Sequence, residues 1–208
     1  GIDHIAWSPQ GKSLAATSDN KIYVWHISAI DEPLTLDGRD GIDRITWSPQ
    51  GRSLAVTSDN KIDVWHIDEV SERTVLEEGK SEVSRVTWCP NGTRIAVGYL
   101  DGTIRVFQPH NPSNPTRFVA HDDMVTKIAW NSNGSHLVSA SRDQTVHLWH
   151  VDGNGKSIVL SQPPSEVLNI AWSPDGSFIA VGRLDPWVEV WRADGTGEPV
   201  LLAGVDRS

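Results

Sequence analysis

The sequence predicts an all-β chain of five four-stranded antiparallel sheets stacked on one another. Three observations carry this. Aromatic residues recur in two phased series: Trp7, Trp47, Trp88, Trp130 and Trp172, then Trp25, Trp65, Phe107, Trp149 and Trp191. Between them, apolar and polar residues alternate with the period of a half-buried strand. Turn signals separate the alternating stretches in the same order five times.

Each unit reads in four steps. The first strand ends at the first Trp, as in Ile45/Trp47 and Val86/Trp88. A turn follows: Ser-Pro-Gln-Gly at 8–11 and 48–51, Cys-Pro-Asn-Gly at 89–92, Asn-Ser-Asn-Gly at 131–134, Ser-Pro-Asp-Gly at 173–176. Pro presets φ there and Gly supplies positive φ. The second strand comes next (Leu54-Ala55-Val56, Ile179-Ala180-Val181), then a tight turn on Asp19, Asp59, Asp101, Asp143 or Asp185. The third strand runs through Ile22/Val24, Ile62/Val64, Ile104/Val106, Val146/Leu148 or Val188/Val190 to the second aromatic. A less regular fourth strand is expected near 33–36, 73–76, 116–119, 157–160 and 198–202, and helix is expected to be almost absent. Residues 1–27 and 41–67 are near copies, differing only at His4/Arg44, Ala6/Thr46, Lys12/Arg52, Ala16/Val56 and Tyr23/Asp63. A four-stranded unit of this size cannot bury both faces alone, so it stacks on copies of itself, and radial stacking of such sheets is the β-propeller. The blades are expected at 1–40, 41–80, 81–121, 122–163 and 164–208, in a single propeller domain or a fragment of one.

Composition narrows the function classes. The 208 residues hold ten Trp against three Phe and two Tyr, the imbalance expected when one aromatic is repeated at fixed places. A net charge of −9 gives no long-range field toward phosphate backbones or anionic membranes, so neither nucleic acid nor membrane is an expected partner. The single Cys89 cannot form an internal disulfide, and a cytoplasmic location is expected. No stretch approaches 18 consecutive apolar residues. The chain begins Gly1-Ile2-Asp3, without Met or a charged-then-apolar leader; a processed chain or an excised piece of a longer one is expected.

The Ser-Pro-Asp-Gly turn, the Asp before the third strand and the closing Trp resemble the WD40 repeat family, and the resemblance covers nearly the whole chain. It implies five propeller blades, with the alternative that they belong to a seven-bladed or larger ring; the near-identical neighbours resemble prokaryotic-type WD40 arrays. It also implies a hydrogen-bonded set that stiffens a blade: a His entering the first strand, a Ser or Thr, the turn Asp and the closing Trp. Only the fourth unit holds all of these, as His121, Ser139 (or Ser141), Asp143 and Trp149. Gly38, Gly79 and Pro163 stand at the His position in three others.

In the WD40 family partners dock on the face that carries the loops into the first strand and the Asp turns. By resemblance that face holds Leu100, Met124, Arg142, Leu168 and Leu184, which differ from unit to unit while the framework stays fixed. Trp187 lies outside both aromatic series, beside Pro186, and is a candidate anchor, since Trp is enriched at binding hot spots. Apolar residues among Asp and Glu suit a peptide with apolar anchors and basic flanks. The other nine Trp are expected in the core.

Several motifs point nowhere. His26, His66 and His150 share one repeat position but lie on separate blades, and no zinc-ligand spacing is present, so no metal or other cofactor is expected. Gly153-Asn154-Gly155-Lys156-Ser157 lacks the first Gly and the helix of a phosphate loop. The sequons at Asn91 and Asn133 lie in first turns. The expected function is therefore a non-catalytic protein-binding scaffold. The alternatives are a structural spacer or oligomerisation unit, self-associating through its terminal blades, and a hydrolase-type site in the central channel among Asp3, Asp43, Ser84, Thr126 and Leu168.

Overall fold

A computed structural model describes residues 1–67, 72–78, 80–119, 121–152, 156–161 and 165–203. The alternating stretches form strands throughout, and among the described residues there is no helix. The first sheet holds β1 (His4–Trp7), β2 (Ser13–Ser18), β3 (Lys21–His26) and β4 (Ala29–Asp37), and the second β5 (Arg44–Trp47), β6 (Ser53–Ser58), β7 (Lys61–His66) and β8 (Glu72–Glu78). The third holds β9 (Val83–Trp88), β10 (Ile95–Tyr99), β11 (Thr103–Gln108) and β12 (Asn111–Val119). The fourth holds β13 (Val125–Trp130), β14 (His136–Ser141), β15 (Val146–His150) and β16 (Ser157–Ser161), and the fifth β17 (Val167–Trp172), β18 (Phe178–Arg183), β19 (Trp187–Arg192) and β20 (Val200–Ala203). In every sheet the strands lie side by side in chain order, so each sheet is a meander whose first and fourth strands are edges.

Two fourth strands start earlier than the sequence suggests, β4 at Ala29 and β12 at Asn111; β4 runs through the expected Pro33, and β12 takes in Pro112 and Pro115. A Pro in a central strand removes a ladder hydrogen bond, whereas an edge strand has one side with no ladder to lose.

The turns follow their residues. Gly11 takes φ 67 and its N–H donates to the Ser8 carbonyl at 2.8 Å; Gly51 repeats this on Ser48. In the first Asp turn both Asp19 (φ 48) and Asn20 (φ 66) are left-handed, the arrangement that matches strand twist in a two-residue hairpin. In the third and fourth, Asp101 and Asp143 accept from the backbone N–H and hydroxyl of Thr103 and Thr145. The two sequon asparagines serve their turns likewise, Asn91 accepting from Thr93 and Asn133 from Ser135. The Gly153-Asn154-Gly155 part of the phosphate-loop-like stretch lies outside the described residues.

The chain divides into two compact units, one of Gly1–Val83, Asn91–Ile95 and Phe107–Pro115, the other of Ser84–Pro90, Ala96–Val106 and Thr116–Ser208. In the first unit Ala15, Ile22, Val24 and Leu36 of the first sheet pack on Ile45, Trp47, Leu54, Val56 and Trp65 of the second. The second unit has two such layers. One joins Ile104, Val106 and Phe118 to Val125, Trp130, Leu137 and Trp149; the other joins Val138, Ala140, Val146 and Leu148 to Val167, Ile170, Ile179 and Val181. One polar contact recurs in these layers. The indole N–H of a first-strand Trp donates to a carbonyl on the first strand of the preceding sheet: Trp47 to Ala6 (2.9 Å), Trp130 to Thr87 (3.3 Å) and Trp172 to Ala129 (3.1 Å). The burial of the Trp body and the satisfaction of its one donor are thus achieved together.

The expectation of nine core Trp needs correction. Trp7 is 55% exposed, and Trp25, Trp172 and Trp191 are half-buried. Trp7 lies beside Ile5 on the face of the first sheet turned away from the second.

Candidate functional site

The fourth sheet contains the hydrogen-bonded set. His121 precedes β13, Ser139 lies in β14, Asp143 in the turn after it and Trp149 in β15. His121 Nε2 lies 2.8 Å from Ser139 Oγ, and Trp149 Nε1 donates to the same oxygen at 2.9 Å. His121 Nδ1 lies 3.1 Å from Asp143 Oδ2 and 2.9 Å from Thr145 Oγ1. One tautomer satisfies every group: Nδ1–H donates toward Asp143, and Nε2 accepts from the Ser139 hydroxyl, which accepts from Trp149. Asp143 Oδ2 also takes the Asp122 backbone N–H at 2.9 Å. Ser141 bonds elsewhere, donating to the Asp123 carbonyl and accepting from the Asp143 N–H.

Burial pushes His121 below its ordinary value against the pull of Asp143, so the ring is neutral at pH 7. Burial also acts to raise Asp143, but hydrogen bonds from Thr145 and the Asp122 N–H, with His121 nearby, hold it below the usual carboxylate range. His147 of β15 meets His121 edge-on, 4.6 Å between ring centroids, and stacks on Trp149 at 5.5 Å. Burial and then His121 push His147 down to about 4. Ser139, His121 and Asp143 have the connectivity of a hydrolase triad, but Ser139 has 0% exposure and its oxygen is already committed to Trp149. No substrate carbonyl reaches it, so the set acts as a brace joining loop, turn and two strands.

Because β13 and β14 run antiparallel, the loop into β13 and the turn after β14 meet at one edge, and the fifth sheet repeats this. The Arg142 N–H donates to the Met124 carbonyl at 3.0 Å and the Leu184 N–H to the Glu166 carbonyl at 3.1 Å. The third sheet's Asp turn adjoins the same region: a Cβ on Gly102, at φ +78, would collide with the backbone carbonyls of His121 and Asp123. Leu100, Leu168, Leu184, Trp187 and Arg142 are exposed there, and Met124 is half-buried. Leu168 stands in a bulge between Val167 and Asn169. Exposed acids surround them: Asp101, Asp122, Asp123, Glu166 and Asp185.

Of the residues considered for a hydrolase-type site, Asp43 accepts the Asp59 backbone N–H at 2.6 Å and so fastens its own turn. His26 and His66 pair through Nδ1 with Ser13 and Ser53, while His150 meets His136 edge-on. Among the described residues no group of three His, Cys, Asp or Glu side chains is placed to hold a metal.

Sequence reasoning missed the residue two before each closing aromatic. Tyr23 stacks beside Trp25, and Arg105 lies over the Tyr99 ring at 5.2 Å. Asp63 is buried against Arg39 at 2.7 Å, with Arg73 at 4.0 Å. Glu189 is buried, accepting from Arg183 at 3.0 Å and from Trp191 Nε1 at 2.9 Å, while Arg183 also reaches the Ser161 hydroxyl and the Ser165 carbonyl. With His147 in the fourth sheet, each sheet carries a different chemistry at one position. The signal was present as a charged residue between two apolar strand residues, as in Val188-Glu189-Val190.

Comparison with protein families agrees with this architecture. The family model of the IFT140 first beta-propeller matches residues 30–164, and that of the WD domain, G-beta repeat, matches residues 1–26 and 156–192. No curated protein matches the chain. WD-repeat propellers are in general non-catalytic and bind proteins or peptides. Five meander sheets, the recurrent Trp-to-carbonyl contact and a match across well over half its length place the chain in the WD-repeat β-propeller family.

Proposed function

We propose that the chain is a non-catalytic protein-binding module whose ligand is an extended peptide with apolar anchors and basic flanks, taken at the edge where the first strands begin. The observation that carries this is the exposure of Leu100 and Leu184 in Asp turns and of Leu168 and Trp187 at strand starts, bordered by Asp101, Asp122, Asp123, Glu166 and Asp185. The acids give a peptide of opposite charge an attractive field that falls with ionic strength. The His121 brace supports the reading by fixing the loop at 121–124, which lowers the entropy lost on binding. A reducing compartment, the cytoplasm, suits the buried thiol of Cys89.

Fluorescence anisotropy against two labelled peptide sets, identical in their Leu and Phe anchors and flanked by Lys/Arg or by Asp/Glu, tests this. Basic-flanked peptides bind, and added salt weakens them. The triple substitution Leu100→Asp, Leu168→Asp and Leu184→Asp abolishes binding with the circular dichroism and unfolding midpoint retained. Equal affinity for both sets, or unchanged affinity after the triple substitution, overturns the proposal.

A further inference from the structure

In the meander of the third sheet, the turn from β9 to β10 and the turn from β11 to β12 fall at the same end. Between them lies an open cavity of about 380 Å³. Asn91, Thr93 and Arg94 of the first turn line it, with Gln108, His110 and Asn111 of the second. All of these residues belong to the first compact unit. The wall is set before any ligand arrives. Asn91 Oδ1 accepts the backbone N–H and the hydroxyl of Thr93, at 3.0 and 2.7 Å, so what Asn91 has left to offer is its amide NH2. His110 stacks on His66, with 4.9 Å between ring centroids and 19° between planes. His66 is itself held at both ring nitrogens, by the Ser53 hydroxyl at 3.1 Å and the Thr74 hydroxyl at 3.2 Å. Pro109, buried in the two-residue turn before β12, fixes φ there.

The chemistry of this wall is one-sided. Arg94 brings a guanidinium, His110 an imidazole, and Asn91, Gln108 and Asn111 bring amide N–H groups. Among the described residues no carboxylate lines the cavity, in a chain with 27 Asp and Glu against 18 Lys and Arg. Glu72, opposite His66 on β8, is not in the wall. Arg94 already interacts within the protein, but a guanidinium has five N–H groups, so one such contact leaves donors for a ligand. A guanidinium with N–H donors around it suits an oxyanion. The volume exceeds what a bare phosphate fills, since a water occupies only about 30 Å³. It falls instead in the range of small-molecule sites, roughly 300–1,000 Å³. Among the described residues the wall has no aliphatic side chain, and its amides both donate and accept, so the body of a ligand that fits is hydroxylated rather than apolar.

We propose that this cavity binds a small hydroxylated molecule carrying one oxyanion, a sugar phosphate or a sugar acid, with the oxyanion on Arg94 and His110 and the hydroxyls on Gln108 and Asn111. The stacked His66 and the Asn91 turn hold the donors in place beforehand, which lowers the ordering cost of binding. The site shares no residue with the peptide edge, whose residues belong to the other unit, and it does not rest on that reading.

The test is ligand-observed NMR titration of the 208-residue chain with four probes: glucose 6-phosphate, gluconate, glucose and inorganic phosphate. Glucose 6-phosphate or gluconate binds, and whichever binds tells which oxyanion the site takes. Glucose and inorganic phosphate bind at least about tenfold more weakly, since each lacks part of the contacts. Gln108→Glu, at an exposed position, brings a carboxylate into the wall and weakens the charged sugar at least about tenfold; Arg94→Gln does the same by removing the guanidinium. Failure of both charged sugars to bind at millimolar concentration overturns the inference. So do glucose bound as tightly as the charged sugars, inorganic phosphate bound as tightly as glucose 6-phosphate, and binding that Gln108→Glu leaves unchanged. Circular dichroism checks each fold. Should Arg94→Gln unfold, the exposed Gln108→Glu decides under the same criteria.

Discussion

Replacing Ser139 with Ala tests the brace of the fourth sheet at its centre. The hydroxyl has two partners, His121 Nε2 at 2.8 Å and Trp149 Nε1 at 2.9 Å, both on buried residues. The substitution opens too little room for a water with several polar neighbours, so an indole donor and an imidazole acceptor both lose their partner. Stranding one buried polar group costs about 1–3 kcal/mol, and two together about 3 kcal/mol once the neighbours relax. Urea unfolding at pH 7, followed by circular dichroism, reads this as a lowered midpoint with unchanged slope for the transition of the second unit. The coupling is read from a cycle with Trp149→Phe, which removes the indole N–H. That substitution costs less on the Ser139→Ala background than on wild type, because the orphaned donor leaves with the ring. A Ser139→Ala cost below about 1 kcal/mol, or additive costs in the cycle, refutes the claim that these bonds hold the loop, turn and strands together.

Further outcomes follow from the same geometry. His147 titrates at about 4 when folded against an ordinary 6.5, so the unfolded chain binds the extra proton first; its contribution is complete above pH 6.5 and is lost as pH falls toward 4. The full shift is worth at most about 3.4 kcal/mol, and about 2 kcal/mol after solvent screening; His147→Gln removes that part of the acid sensitivity in urea unfolding at pH 7 and pH 4. Glu189→Leu leaves the Arg183 guanidinium buried without its carboxylate and costs about 3 kcal/mol, most of which Arg183→Met restores in the double variant. Gly92→Ala, at φ +72, meets only the flexible end of Gln50 and costs about 1 kcal/mol, whereas Gly102→Ala drives a Cβ into backbone carbonyls and costs several-fold more. Both glycine variants are read by thermal and urea unfolding.

The sheets were legible because the features that define them are local. Alternation sets the strands, Ser-Pro-Gln-Gly and the Asp turns set the reversals, and the spacing of Trp7, Trp47 and Trp88 sets the repeat. Burial was not legible in the same way. Trp7 and Trp47 lie in almost identical segments and differ in exposure because of what lies across from them, which no local pattern records. The start of β12 was missed because Pro112 and Pro115 argue against strand until the strand is known to be an edge. In the brace, Ser139 and Ser141 both suited the resemblance. They point to the same face of β14, and only the reach of the His121 and Trp149 side chains separates them. The edge residues Leu100, Leu168 and Leu184 could be named in advance only through the WD40 resemblance, which says which loops and turns share a face. The Arg183–Glu189 pair could not, since its members reach each other only through the register of β18 on β19.

The unlike residues at positions 23, 63, 105, 147 and 189 bear on how a chain of near copies folds at all. During collapse β3 and β7 compete for the same place beside β2, since Ile22, Val24 and Trp25 are matched by Ile62, Val64 and Trp65. A strand exchanged between them would satisfy every apolar contact and every turn. It would also carry Asp63 away from Arg39 and Arg73 to the half-buried place of Tyr23, while Tyr23 would leave the two arginines facing a phenol. The misassembled form therefore lies above the native one by the loss of the Arg39–Asp63 ion pair. A residue that adds little to a sheet already in place thus works as an address label, sorting otherwise interchangeable strands as they arrive.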